Sequence, residues 1–500
     1  MNKKLKPALL IIMAFLLILT SCGIKDKRNE KSLEKSENRQ EYRIQGNLNQ
    51  YNINVEFNLE DKILKGNQET VYVNNEKISI DKIYFHLYPN AFKDRETVPF
   101  LFNDFRRAYW KGFEEGYIDI ENLYVDGEKV VYSIGGRGDT ILEVMLPKAV
   151  EPGEQVTINM EYKIKLPPVA ERFGYGKDTY NFGNWYPVVS VYDEDRWNLD
   201  PYYAIGDPFY SDVSNYKVAI RAPKDVVIAS SGKIISNKVI GDVREWEIEA
   251  ENMRDFAWVA SKDFQKVEKF VDGVLLKMYF IKGKADKDII KEALDFSEKS
   301  FKTFNKVFGK YPYKEYSVVQ TSFPSGMEYP GIVFIGKEYY NKNYKSFLET
   351  LIVHETAHQW WYAVVGNDQI DESWLDESFA SYSEVIYYRE NYGEQTAQEY
   401  HKFENEERYY ELVDSLKDKR VLKTLKEFKD WDDYSLLVYN KGAIFLDKLR
   451  ERYGIDLFYD MLSTYYDRYK FKIATTKDFL KVCEEVTGEE LDDYFKEWLR

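Results

Sequence analysis

The chain has 500 residues, 44% of them hydrophobic and 16% aromatic, with a formal net charge of −15 at pH 7. That apolar content excludes a disordered chain, and the length predicts more than one domain. The negative balance argues against a nucleic-acid backbone as partner, which needs a basic footprint.

Residues 1–6 carry three lysines, and residues 8–19 form an unbroken apolar run. The run suits the apolar segment of a signal peptide and is short for a membrane span of about 20 residues. It ends in Leu19-Thr20-Ser21-Cys22-Gly23. This order resembles a bacterial lipobox, so residues 1–21 are read as a signal peptide and Cys22 as the lipidation site. The expectation is an extracytoplasmic protein held at the cell membrane by an N-terminal lipid. Residues 22–41 are charged and nearly free of apolar side chains. They read as a disordered tether, reaching on the order of 25 Å. The second cysteine, Cys483, shares a helical spacing with Phe479, Val482 and Val486 and reads as core. With Cys22 lipidated, no intramolecular disulfide is expected.

From Tyr51 the pattern has period two: Tyr51, Ile53, Val55, Phe57 and Leu59 alternate with polar residues. Val156 to Ile164 and Tyr216 to Ile220 repeat it. Such alternation predicts half-buried strands, and residues 42–268 are read as an all-β, sandwich-like domain. From about residue 270 the spacing becomes helical, and residues 269–500 are read as a mainly α domain. The fold class is therefore multidomain α+β.

The second domain holds "LIVHETAHQWW", residues 351–361, with two of the four histidines of the chain. Ser346 and Glu349 read as a capping box, and Gly366 as the helix stop. Residues four apart share a helix face, so His354 and His358 can reach one metal ion. Glu355 then stands beside the metal, where a general base for water belongs. A catalytic zinc needs a third ligand. Eighteen residues separate His358 from Glu377, which lies in the helical stretch "DESWLDESFASYSEV". His354, His358 and Glu377 form a His₂Glu set for one Zn²⁺, and Glu384 is placed to accept the other ring N–H of a ligating histidine. His86 and His401 receive no role.

These residues resemble the aminopeptidase N family of zinc gluzincins. The resemblance rests on His354-Glu355-x-x-His358, on Trp374-Leu375-Asp376-Glu377-Ser378-Phe379-Ala380, on Ser325-Gly326-Met327-Glu328-Tyr329 and on Tyr439-Asn440-Lys441-Gly442. It implies a β-sandwich-like first domain and a thermolysin-like catalytic domain. It also implies roles: Tyr439 for the oxyanion, Glu328 for the substrate α-amino group, and the Gly326–Met327 backbone for the peptide as an added strand. The family's Asn after Met-Glu is Tyr329 here, and its first Gly is Ser325. Both departures touch the amine-binding strand. The chain also stops where the family's catalytic domain stops, which implies an open cleft. The expected function is a zinc-dependent aminopeptidase acting on peptides. A zinc endopeptidase or a restricted-substrate peptidase on the same scaffold, and a non-catalytic peptide-binding lipoprotein, are the alternatives. Side-chain preference and oligomeric state are not legible.

Overall fold

The computed structural model describes residues 47–99 and 105–500. The expected signal peptide, Cys22 and the tether lie outside the described residues. No helix among the described residues is long and apolar enough to cross a membrane.

The alternation read at Tyr51 becomes strand Asn49–Asn58, whose odd-numbered side chains are buried. It pairs antiparallel with Ile63–Val73 and parallel with Ser214–Pro223, with Tyr51 opposite Tyr216 and Ile53 opposite Val218. Successive side chains in a strand point to opposite faces, so this register gathers all the apolar residues on one side. The result is an eight-stranded sheet. Two four-stranded sheets belong to the same part of the chain, one built on Ile80–His86 and Ile141–Val150, the other on Val227–Ser230 and Trp258–Ser261.

A five-stranded sheet follows, in the order Phe264–Val271, Val274–Ile281, Glu315–Thr321, Ile332–Gly336, Gly326–Met327. The expected division at 268/269 falls inside its first strand. A strand hydrogen-bonded along its whole length to its hairpin partner cannot be split, so the second part of the chain begins before Phe264. The seam is packed: Met327, Tyr329 and Phe334 share one apolar cluster with Tyr51 and Trp258.

Beyond this sheet helices dominate. We label α1 (Lys287–Val307), α2 (Lys345–Ala357), α3 (Trp374–Tyr392) and α4 (Gly442–Tyr453). Two local expectations are corrected. Ser346 lies within the first turn of α2, where its own backbone is helical, and Tyr344 stands at the N-cap without a side-chain cap. The capping box is therefore absent. Nor does the helix run on to Gly366. It ends at His358, after which the chain turns back through Tyr362 with a φ of 104°. Gly366 sits in the short strand Val365–Gly366, where the Arg254 guanidinium leaves no room for a Cβ. Cys483 is a free, buried thiol.

Candidate active site

Helix α2 is buried on most of its circumference through Leu348, Ile352, Val353 and Ala357, so its polar residues are carried into the interior. Helix α3 packs beside it, itself buried from Trp374 to Tyr387. His354 and His358 of α2 face Glu377 of α3. The Nε2 atoms of the two histidines stand 3.1 Å apart, and the Glu377 carboxylate lies 3.1 Å from one and 3.4 Å from the other.

The other ring nitrogens decide what this means. His354 Nδ1 lies 2.7 Å from Glu384 and His358 Nδ1 2.5 Å from Asp376. Both partners are carboxylates, so each Nδ1 carries the proton and donates it. Both Nε2 lone pairs then point at one spot, already occupied on its third side by a carboxylate oxygen. Three acceptors converging without a donor is unstable unless a cation sits between them. Without a metal, burial would lower the His354 pKa, but the Glu377 and Glu384 carboxylates raise it to about 10: a proton on Nε2 then stands in for the cation that this spot favours. The set fits a tetrahedral zinc with one position open.

Glu355 is buried beside these donors, and its Oε2 finds no hydrogen-bond partner. Burial pushes its carboxyl up to about 7, against the pull of the two imidazoles. Its Oε1 lies against Gly326, where a Cβ would come within 1.9 Å. Only glycine lets the edge strand approach so closely. Gly326–Met327 is the outermost strand of the five-stranded sheet, paired on one side only, to Ile332–Gly336. Its other edge is open to an extended chain.

Glu328 follows on this edge, buried and with Oε1 unpartnered. Burial, then the charge of Asp207, lifts its carboxyl well above the usual range. Tyr329, the departure noted above, turns away: it is fully buried and its hydroxyl donates to Asn184 at 2.7 Å. Tyr439 comes from a π-helical turn, Ser435–Lys441, that leads into α4. Gly442 allows this turn to seat on α3, since a Cβ there would lie 1.8 Å from Ser378 Oγ. The Tyr439 hydroxyl then donates to Glu377 at 2.6 Å, and its ring stacks on His354 at 5.8 Å.

All the expected site residues from Gly326 to Tyr439 thus border one cleft of about 270 Å³, or the strand that edges it. Three further contributors had no role in the sequence reading. Asp376, adjacent to Glu377, orients His358, and its place in "WLDES" was a usable signal. Asp207 and Arg172 come from loops of the β-rich part and form an ion pair in the cleft wall, with Arg172 Nε 2.9 Å from Met327 Sδ. No local pattern marks them, because only tertiary folding brings them here. His86 and His401 lie elsewhere, buried.

Residues 292–498 match the family model described as the peptidase family M1 domain. The match spans 207 of the 500 residues, counted from 292 to 498. Its relatives include Aminopeptidase M1-D of Oryza sativa subsp. japonica, 24% identical over 302 residues, 57% of this chain and 34% of that protein. Probable aminopeptidase 2 of Sulfurisphaera tokodaii is 24% identical over 444 residues, 80% of this chain and 52% of that protein. The chain thus spans between a third and about half of the length of these two relatives. Among solved structures, the M1 zinc metallopeptidase of Deinococcus radiodurans has a TM-score of 0.63 at 16% identity, covering 91% of this chain and 93% of that one. A similar structure of that enzyme is described as bound to a Tyr-Ser-Ala substrate. At this identity the likeness establishes a shared fold alone, a β-rich part followed by a mainly helical part.

Proposed function

We propose that this M1 domain is a zinc aminopeptidase that removes residues from the free N-terminus of peptides. The observation that carries the reading is the buried Glu328 carboxylate, its Oε1 without a partner, placed beside the metal donors at the end of an open edge strand. Asp207, Glu328 and Glu377 bring carboxylate oxygens within 4.8 Å of one another. Arg172, in the same wall, is already paired with Asp207. A second cation is therefore wanted next to the metal, and an α-ammonium group supplies it.

In this reading His354, His358 and Glu377 hold one Zn²⁺, which supplies Lewis acidity at the scissile carbonyl. Glu355 takes the proton of the attacking water and delivers it to the leaving amine. Tyr439 turns its hydroxyl from Glu377 to the developing oxyanion. The Gly326–Met327 backbone holds the peptide extended. Glu384 and Asp376 act through the histidines as positioning residues.

The test compares matched peptides with free and acetylated N-termini, on wild type and Glu328→Ala. Cleavage confined to free N-termini, with KM raised strongly in the variant, is the expected result. Equal cleavage of acetylated peptides would show an endopeptidase instead. We also propose, from the lipobox-like sequence, that Cys22 is lipidated and holds the protein on the outer face of the cell membrane. A Cys22→Ala chain that still fractionates with membranes would refute that.

A further inference from the structure

A second cavity, of about 240 Å³, lies at the seam between the β-rich part and the catalytic sheet. Its walls include Trp110 and Lys177 from one side, and Ser322, Pro324 and Glu338 from the other. Gly176 closes its floor against Ser322, where a Cβ would lie 2.2 Å away. The Ser322 hydroxyl is buried there without a hydrogen-bond partner.

Position gives this cavity meaning. A peptide whose amine is held at Glu328 cannot extend past that residue, because the chain continues into the fully buried Tyr329. It must run antiparallel along the edge strand, past Gly326 and Ser325, both of which line the catalytic cleft. Pro324, in the bend that leads into this strand, lines the second cavity. Tyr339 packs against both walls: its ring lies 4.6 Å from that of Phe347 in the cleft wall, and its hydroxyl donates to the Pro324 carbonyl at 2.7 Å. Pro324 is four positions from Glu328, so a chain matched residue for residue reaches the cavity at about its fifth residue.

Charge gives it a preference. Trp110 is fixed by a hydrogen bond from its Nε1 to the Tyr175 carbonyl at 3.0 Å. Lys111 lies over its ring at 4.8 Å and Lys177 at 5.8 Å. Both lysines are exposed, and neither forms an ion pair among the described residues. The other cations of the walls are engaged, Arg107 with Glu338 at 3.2 Å and Lys337 with Asp178. Of the two, Lys177 lines the cavity and Lys111 stands over the same indole at its rim; with Arg107 and Lys337 they outnumber the wall carboxylates Glu171 and Glu338, a balance that suits an incoming carboxylate.

We propose that the cavity beside Trp110 is a distal leaving-side subsite that takes acidic side chains from about the fifth residue of a peptide substrate onward. This rests on the aminopeptidase reading for the direction of the chain. The test uses the zinc-loaded enzyme and two hexapeptides amidated at the C-terminus. They share residues one to four and end in Asp-Asp or Lys-Lys. A dipeptide of the same first two residues is the reference. Binding of both hexapeptides to Glu355→Gln, measured by calorimetry, reads the subsite without turnover. The acidic hexapeptide is expected to be favoured by about fivefold in kcat/KM and in Kd, as befits partly exposed charge pairs. In a Lys111→Glu/Lys177→Glu variant the ratio should fall to one or below, and in wild type it should shrink at high salt. Equal handling of both hexapeptides by wild type, or a preference that survives in the variant, overturns the subsite. An intact dipeptide would instead reject the aminopeptidase reading, and the binding ratio in Glu355→Gln would still decide the subsite.

Discussion

His354 and Glu384 are joined by a hydrogen bond of 2.7 Å from ring Nδ1 to carboxylate, and Glu384 in turn accepts the hydroxyl of Tyr400. The same relation recurs at the second histidine, where Asp376 accepts from His358 and from Gln369. Each metal-facing nitrogen is thus aimed by a carboxylate that is itself held. Glu384→Ala and Asp376→Asn should each weaken zinc binding by about 10–100-fold, the range for loss of such partners. Competition against a fluorescent chelator measures this. The Asp376 variant should be the worse, because His358 is the more deeply buried ring.

Metal removal should also destabilise the fold. Asp207, Glu328, Glu355 and Glu377, besides the Glu384 and Asp376 that hold the rings, crowd the space around two imidazoles, and a metal ion would reconcile them. Zinc at a thousandfold excess over its Kd adds about 4 kcal/mol by mass action. Thermal melting with zinc and with chelator should therefore differ by several degrees. Glu377→Ala should melt alike in both conditions.

Glu355→Gln should retain zinc and lose activity by about two to four orders of magnitude, the range for a general base. Tyr439→Phe should lose about two to three orders, as for an oxyanion donor. Gly326→Ala offers a steric counterpart. Its Cβ would lie 1.9 Å from Glu355 Oε1, so either the base or the edge strand must shift. Activity should fall with zinc content unchanged, which metal analysis beside steady-state kinetics would establish.

A pH effect is built into the β-rich part. His86 is 1% exposed and stacks on Tyr88 at 4.9 Å. Burial pushes its pKa down to about 4, with the Asn198 backbone opposing. The unfolded chain, with a histidine near 6.5, takes up the proton first. Stability from this residue is complete above pH 6.5 and is lost as pH falls toward 4, by about 3 kcal/mol in all. Thermal midpoints of wild type should drop more steeply across that window than those of His86→Phe. Equal slopes would show that His86 is not the titrating group.

Much of this was legible in the chain. The period-two runs at Tyr51, Val156 and Tyr216 became strands because alternation commits one face to burial whatever its partner is. The histidine pair and Glu377 were legible because helical geometry converts their spacing into direction, and Glu384 followed from the same geometry on α3. The capping box at Ser346 misled, since the turn at Asn341 already feeds the helix and leaves Ser346 inside it.

The sequence alone determined the donor types, the helix faces that carry them and the alternation that forms the β-rich part, all properties of neighbours within a few residues. Tertiary structure decided the rest. It brought Arg172 and Asp207 into the cleft wall, seated Tyr439 on α3 through the Gly442–Ser378 contact, and buried Tyr329 against Asn184. It also joined Pro324 to a cavity beside Trp110. These are contacts between segments tens to hundreds of residues apart. Their geometry is set by which apolar surfaces pack together, and no local spacing encodes that.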